Sequence, residues 1–207
     1  MGGKAVLLIA AAMALSSCAH QRQQTWERAN PQYTSAGYFR WQSESEVRTS
    51  FAIHAAATMH RRRTALQIGA ARVVTGYAVV GYTGTSADVR IPPQRRDAPV
   101  NEIGANAFRG SGLASVTIPD SVAAIGYGAF ALNPLASVTI GNGVSVLREN
   151  AFGGSLETLS RISIGANVTL EGTSSAAWMG FREAYEENGQ RAGVYTFSDG
   201  AWNWQRR

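Results

Sequence analysis

Three histidines, a single cysteine and 14 carboxylates are the residues of this chain whose types could support acid–base, nucleophilic or metal chemistry. Their spacing argues against most of it. His54 and His60 are six positions apart, which on a helix turns them to different faces, whereas a zinc pair needs ligands on one face. His20 stands alone in a polar stretch. Glu102, Asp120, Glu149 and Glu157 share no common column of the sequence pattern, so no recurrent carboxylate pair is built. The chain has neither a Gly-x-Ser-x-Gly nucleophile elbow nor a phosphate-binding loop, and Gly141-Asn142-Gly143 and Gly153-Gly154 read as turns. Asn167-Val168-Thr169 fits a glycosylation sequon but reads as coincidence. The expectation is a protein without catalytic, cofactor-binding or metal-ligating residues, and therefore not an enzyme. The residue left with a chemical context is Cys18.

Cys18 follows Lys4 and an apolar run of 11 residues from Ala5 to Leu15. A bilayer span needs about 20 apolar residues, so this run is read as a signal-peptide core over residues 1–17. The sequence Leu15-Ser16-Ser17-Cys18 resembles the lipobox of bacterial lipoproteins. That resemblance implies acylation of the Cys18 thiol, cleavage before it, and a chain tethered to an envelope membrane. Ala19, where Asp would retain an enterobacterial lipoprotein at the inner membrane, implies the outer membrane, in its periplasmic or surface leaflet. The alternative is an ordinary signal peptide with Cys18 left free. A lone cysteine also excludes an internal disulfide framework and a cysteine-based zinc cluster.

Positive charge is confined to one region. The chain carries a net charge of +5 and a pI near 9.8, which invites a nucleic-acid reading. From Thr64 onward, however, 11 Arg balance 11 Asp and Glu, and apart from Lys4 the excess lies in residues 18–63 with 7 Arg against 3 Glu. A nucleic-acid binder concentrates positive charge on its folded recognition surface, so no nucleic acid is expected as partner. Arg61-Arg62-Arg63 reads as a helix C-terminus favoured by the macrodipole, with attraction to anionic lipid headgroups as the alternative.

Residues 18–42 are polar and aperiodic and read as a tether that becomes ordered toward its end. Residues 43–88 read as an N-terminal cap. Within it, Ser43-x-x-Glu46 has capping-box spacing, and Val47, Phe51, Ala55 and Met59 at four-residue steps predict a helix over about 44–62. Strands are expected at Arg72–Thr75 and Tyr77–Val80. Residues 89–175 repeat with a period of 22: VNEIGANAFRGSGLASVTIPDS (100–121) and VAAIGYGAFALNPLASVTIGNG (122–143) share 11 of 22 positions without a gap. A third, looser copy starts at Val144 and a partial one supplies Val89-Arg90-Ile91-Pro92. A period in the 20s marks a solenoid. Val-Thr-Ile alternates as a short parallel strand, and Ile-Gly-x-x-Ala-Phe packs a return segment expected as a short helix or 3₁₀ turn. Residues 176–207 read as a C-terminal cap: a helix near Gly180–Asn188 and a hairpin around Asp199-Gly200, with Trp178, Trp202 and Trp204 covering the apolar end. An aromatic binding site is the alternative for that cluster.

The spacing Leu113-x-x-Val116-x-Ile118-Pro119-x-x-Val122-x-x-Ile125-Gly126-x-x-Ala129-Phe130 resembles the leucine-rich repeat of the treponemal, or BspA-like, class. It departs from that class in lacking the Cys often found after Ala-Phe, where Ser111 and Asn133 lie nearby, and in losing its signature after Val168. The resemblance implies an α/β solenoid with a parallel sheet on its concave face. Side chains alternating with the buried ones would then form that face: Arg90; Ser115 and Thr117; Ser137 and Thr139; Arg161 and Ser163.

The expected function is a lipid-anchored protein–protein interaction module of the cell envelope. Relatives in the BspA-like class imply adhesion to host matrix proteins or other bacteria. The alternative is a periplasmic structural or assembly component that acts through self-association as a homo-oligomer. A small-molecule substrate or cofactor is not expected, because repeat interiors of this kind are packed.

Overall fold

The computed structural model describes residues 20–43, 76–154, 158–172 and 176–206. The signal segment, Cys18, the helix expected over 44–62 with its arginine triplet, and the strand expected at 72–75 lie outside the described residues.

The alternating triplets fold as expected. Strands β3 (Asp88–Arg90), β6 (Ser115–Thr117), β8 (Ser137–Thr139) and β10 (Arg161–Ile164) lie parallel in register, with Val89, Val116, Val138 and Ile162 side by side. The middle residue of each triplet is buried and its flanks are not, except in β10. Pattern and register agree because a one-residue slip would turn the whole apolar column to solvent.

A second sheet lies on the other side of each turn. It is built from β5 (Ala98–Ile103), β7 (Ala124–Ile125), β9 (Val146–Leu147) and β11 (Thr169–Leu170), again parallel, with Ile103, Ile125 and Leu147 aligned. Of the short helix or 3₁₀ turn expected for the return segment, the turn is what forms: the Ile of the Ile-Gly block ends this strand, and tight turns with i→i+3 bonds follow. Its turns close with bonds such as Ala129 N–H to Gly126 O at 3.2 Å. The same turns bond to the next repeat: Phe108 N–H reaches Ala129 O and Phe130 N–H reaches Ala151 O, both at 2.7 Å. A helix would direct its N–H groups along its own axis, so it could not form these links between repeats. Gly126 is required by the same close stacking, since a Cβ there would meet Ala105 N at 2.6 Å and Ile103 O at 2.9 Å.

Between the sheets, Phe108, Phe130 and Phe152 stack with centroids 4.9 and 5.4 Å apart and planes within 16°. This spacing is close to the 4.7–4.9 Å between paired strands, so one ring per repeat fills the return corner without a gap. Asn133, 2% exposed, ties neighbouring repeats together: its Nδ2 donates to Phe108 O and Phe130 O at 2.7 Å, and its Oδ1 accepts Leu113 N–H at 3.1 Å.

The segment read as a tether is structured from residue 20. Residues 20–29 are helical (α1), a 3₁₀ turn follows at Ala36–Tyr38, and β1 (Phe39–Ser43) pairs antiparallel with β2 (Tyr77–Tyr82), the expected second strand. Strand β2 continues the second sheet beside β5, and β4 (Gln94–Arg95) turns into β5 as a hairpin. Helix α1 is polar on most sides, which hid it from hydrophobic periodicity. Polar contacts hold it instead: Arg22 pairs with Asp97 at 2.9 Å and Gln23 Oε1 accepts Arg96 N–H at 2.8 Å. Phe39 and Tyr82 then close the phenylalanine column at Phe108, at 5.9 and 5.4 Å.

At the other end, helix α2 (Ala176–Glu187) and the hairpin of β12 (Gly193–Ser198) and β13 (Ala201–Gln205) form the expected cap. The hairpin turns at Asp199-Gly200, both at positive φ as a two-residue turn demands. The hairpin also joins the repeat sheet, β12 pairing antiparallel with β10, so that sheet runs β13-β12-β10-β8-β6-β3. Tyr185 of α2 and Tyr195 of β12 are fully buried on the inner side of the cap, and burial pushes both phenols above their ordinary pKa. Tyr185 Oη donates to Gly165 O at 2.7 Å and accepts Val168 N–H at 3.0 Å, which docks α2 on the last repeat.

Candidate interaction surface

Seven residues singled out from the sequence lie on the outward face of the six-stranded sheet. Strand register sorts them into two rows. One row runs Asp88, Ser115, Ser137, Arg161, Thr196 and Asn203. The other runs Arg90, Thr117, Thr139, Ser163, Val194 and Gln205. Short hydroxyl side chains therefore fill the centre, and Arg90 and Arg161, both exposed, bracket it. Among the described residues neither arginine has an ion-pair partner, so both guanidinium groups present their charge to solvent.

Ser163 departs from its expected role. It is 5% exposed, lodged between Thr139 and Val194 in register, where the sequence alone placed it at an open end of the strip. The hairpin that extends the sheet past β10 is the reason. That same extension enlarges the face: six strands at about 4.8 Å give a strip about 24 Å tall, against about 15 Å for the four repeat strands alone. Asp88, Thr196 and Asn203 escaped sequence reasoning because only the observed pairing of β3 and the hairpin brings them into the row.

The β3 edge of the face is rimmed by the loop after α1. Thr34 N–H donates to Arg90 O and Thr34 Oγ1 accepts Arg90 N–H, both at 2.8 Å. Residues 31–34 and Asp88, Arg90, Ser115 and Thr117 enclose an open cleft of about 450 Å³. Ser115 Oγ donates to Asp88 Oδ1 at 2.5 Å, which fixes one oxygen of a carboxylate that lines the cleft. The cleft can take a polar side chain by hydrogen bonding and charge. Among the described residues no three His, Cys, Asp or Glu side chains come together as a metal ion would need.

A stack of short parallel strands joined by tight turns, with one aromatic ring per turn, defines a leucine-rich-repeat solenoid. A family model described as the BspA type leucine-rich repeat region (6 copies) matches residues 94–178. Residues 94–178 are thus a leucine-rich-repeat region of the BspA type. Among solved structures it is similar to a leucine-rich repeat protein of T. pallidum (TpLRR), with 23% identity and a TM-score of 0.52 over 67% of this chain and 53% of that one. It thus spans about half the length of that protein, and the likeness shows the shared fold. It is also similar to a leucine-rich repeat protein from Bacteroides capillosus ATCC 29799, with 30% identity and a TM-score of 0.45 over 50% of this chain and 83% of that one. No curated protein sequence matches it. Repeats of this class are typically non-catalytic modules that bind proteins.

Proposed function

We propose that this protein is a lipid-anchored interaction module of the bacterial cell envelope that binds a protein partner through the outward face of its six-stranded sheet. The observation that carries the reading is the pair of in-register rows: small hydroxyls at the centre, exposed arginines at the flanks and a rimmed cleft at one edge. Short side chains let a partner's main chain approach the sheet closely, and Arg90 and Arg161 offer bidentate contacts to its carboxylates. The partner is a protein with acidic side chains, of a host matrix or of the envelope itself. A strip three residues wide falls short of the roughly 800 Å² per partner of a standard interface, so the rim of residues 31–34 must contribute.

The anchor is Cys18, acylated and outer-membrane-bound. Two or more acyl chains hold a protein stably where one does not. Metabolic labelling with an alkynyl fatty acid should mark the wild-type chain and leave a Cys18→Ala variant unlabelled; a labelled variant removes the anchor from the account. Protease added to intact cells should degrade the chain if it acts at the surface. Solid-phase binding to a panel of immobilised matrix and envelope proteins should be saturable, and should weaken as salt screens the two arginines.

A further inference from the structure

The two ends of the six-stranded sheet are treated differently. At β3 the edge is closed by Thr34, which takes both hydrogen-bonding groups of Arg90. At β13 nothing comparable occurs among the described residues. Phe197 N–H points to Ser160 O on the β10 side at 2.9 Å, so the next residue, Thr196, bonds across to Asn203. The N–H and C=O groups of Trp202 and Trp204 therefore point away from β12, toward the open edge. This strand carries no proline, lysine or bulge, the devices that normally blunt an edge.

We infer that β13 pairs antiparallel with β13 of a second copy of this chain, about a two-fold axis through Asn203. In the register that overlaps the whole strand, Trp202 faces Trp204 of the other copy. Both belong to hydrogen-bonding positions, so the two pairs exchange four main-chain bonds and satisfy every outward group of the strand. Asn203 meets its own mate at the closely spaced, non-hydrogen-bonded position, with both amides on the exposed polar face. The same register sets Arg206 opposite Gly200 of the second copy, beside that copy's Asp199. Both groups are exposed and lack an ion-pair partner within the described residues, so the charges at each end of the strand complement each other. The two sheets then become one of twelve strands, and two polar faces too small to bind strongly alone act as a single bivalent surface. This inference is independent of what those faces bind.

Sedimentation of the purified full chain should show the mass rising about twofold with concentration, as a closed two-fold dimer requires. Asn203→Lys sets two like charges directly opposite each other at an exposed position and should hold the chain monomeric with an unchanged circular dichroism spectrum. In a Cys18→Ser background, Asn203→Cys should oxidise readily to a covalent dimer, since non-hydrogen-bonded partners sit within disulfide reach. Gln205→Cys, whose mate in this register is residue 201, should not. A chain that stays monomeric at every concentration overturns the interface. So does an unchanged dimer in Asn203→Lys, or cross-linking at 205 as fast as at 203.

Discussion

Phe130→Ala should lower the unfolding free energy by about 4 kcal/mol, in the middle of the range for emptying a buried aromatic site. Phe130 is fully buried and lies between Phe108 and Phe152, so its removal opens a gap that neither neighbour can fill without leaving its own turn. Its main chain is tied on both sides, to Ala151 O by its own N–H and to Asn133 through its carbonyl, which limits collapse of the site. For a chain of this length such a loss corresponds to a fall in Tm of about 10 °C. The form of the transition should change as well. A solenoid is coupled only through adjacent turns, and weakening one interface lets the two halves unfold separately. Urea titration followed by circular dichroism should therefore show a broadened or two-step transition for Phe130→Ala, and a single shifted one for the milder Phe130→Leu. A cost under about 1 kcal/mol would mean that the ring column is not the spine of the fold.

Asn133→Leu should cost about 3 kcal/mol although it replaces a polar buried side chain with an apolar one of similar size. The amide is a junction: it supplies the acceptor for Leu113 N–H and donors to carbonyls of two successive repeats. Leucine leaves those main-chain groups buried without the bonds it removed, and each such group costs about 1–3 kcal/mol. Thermal denaturation measures the effect directly, and amide exchange localises it, since Leu113 N–H should lose protection before the flanking strands do. A neutral or stabilising outcome would contradict the bonding assigned to the junction.

The contrast between these two residues reflects how much of the fold the sequence announces. Phe108, Phe130 and Phe152 recur every 22 positions, and recurrence at a fixed period is the signature of a stacked column. Asn133 occurs once in that place, so periodicity says nothing about it. Ser115–Thr117 and Ser137–Thr139 were legible because three alternating residues suffice when the same triplet repeats. Strands β7 and β9 have two residues each, too few to alternate, and their Ile-Gly and Leu-Arg pairs read equally as the start of a turn. Helix α1 escaped notice because an ion pair and a side-chain amide, not an apolar stripe, fasten it to the β4–β5 turn.

The surface was legible to the same degree. Alternation assigned Ser115, Thr117, Ser137 and Thr139 to the outward side, and register put them in rows. What alternation could not supply was the neighbour across the sheet. The hairpin at Asp199-Gly200 is visible as a local turn signal, whereas its pairing with β10 depends on how α2, through Tyr185, docks on the last repeat and against Tyr195. Ser163 is covered for that reason, and Asn203 enters the row through the same pairing.

The central claim is that the outward face of the six-stranded sheet is the binding surface, and matched substitutions on the two sheets test it most directly. Thr117→Arg with Thr139→Arg adds two large side chains at half-buried positions on adjacent strands of that face. Ala124→Arg with Val146→Arg does the same on the second sheet, at equally half-buried outward positions of adjacent strands. Binding isotherms of the full chain to whichever immobilised protein it captures should show the first pair losing at least tenfold in affinity, about 1.4 kcal/mol. The second pair should bind as the wild type does, with both variants matching its circular dichroism spectrum. Full affinity in the first pair, or its loss only in the second, would contradict the account.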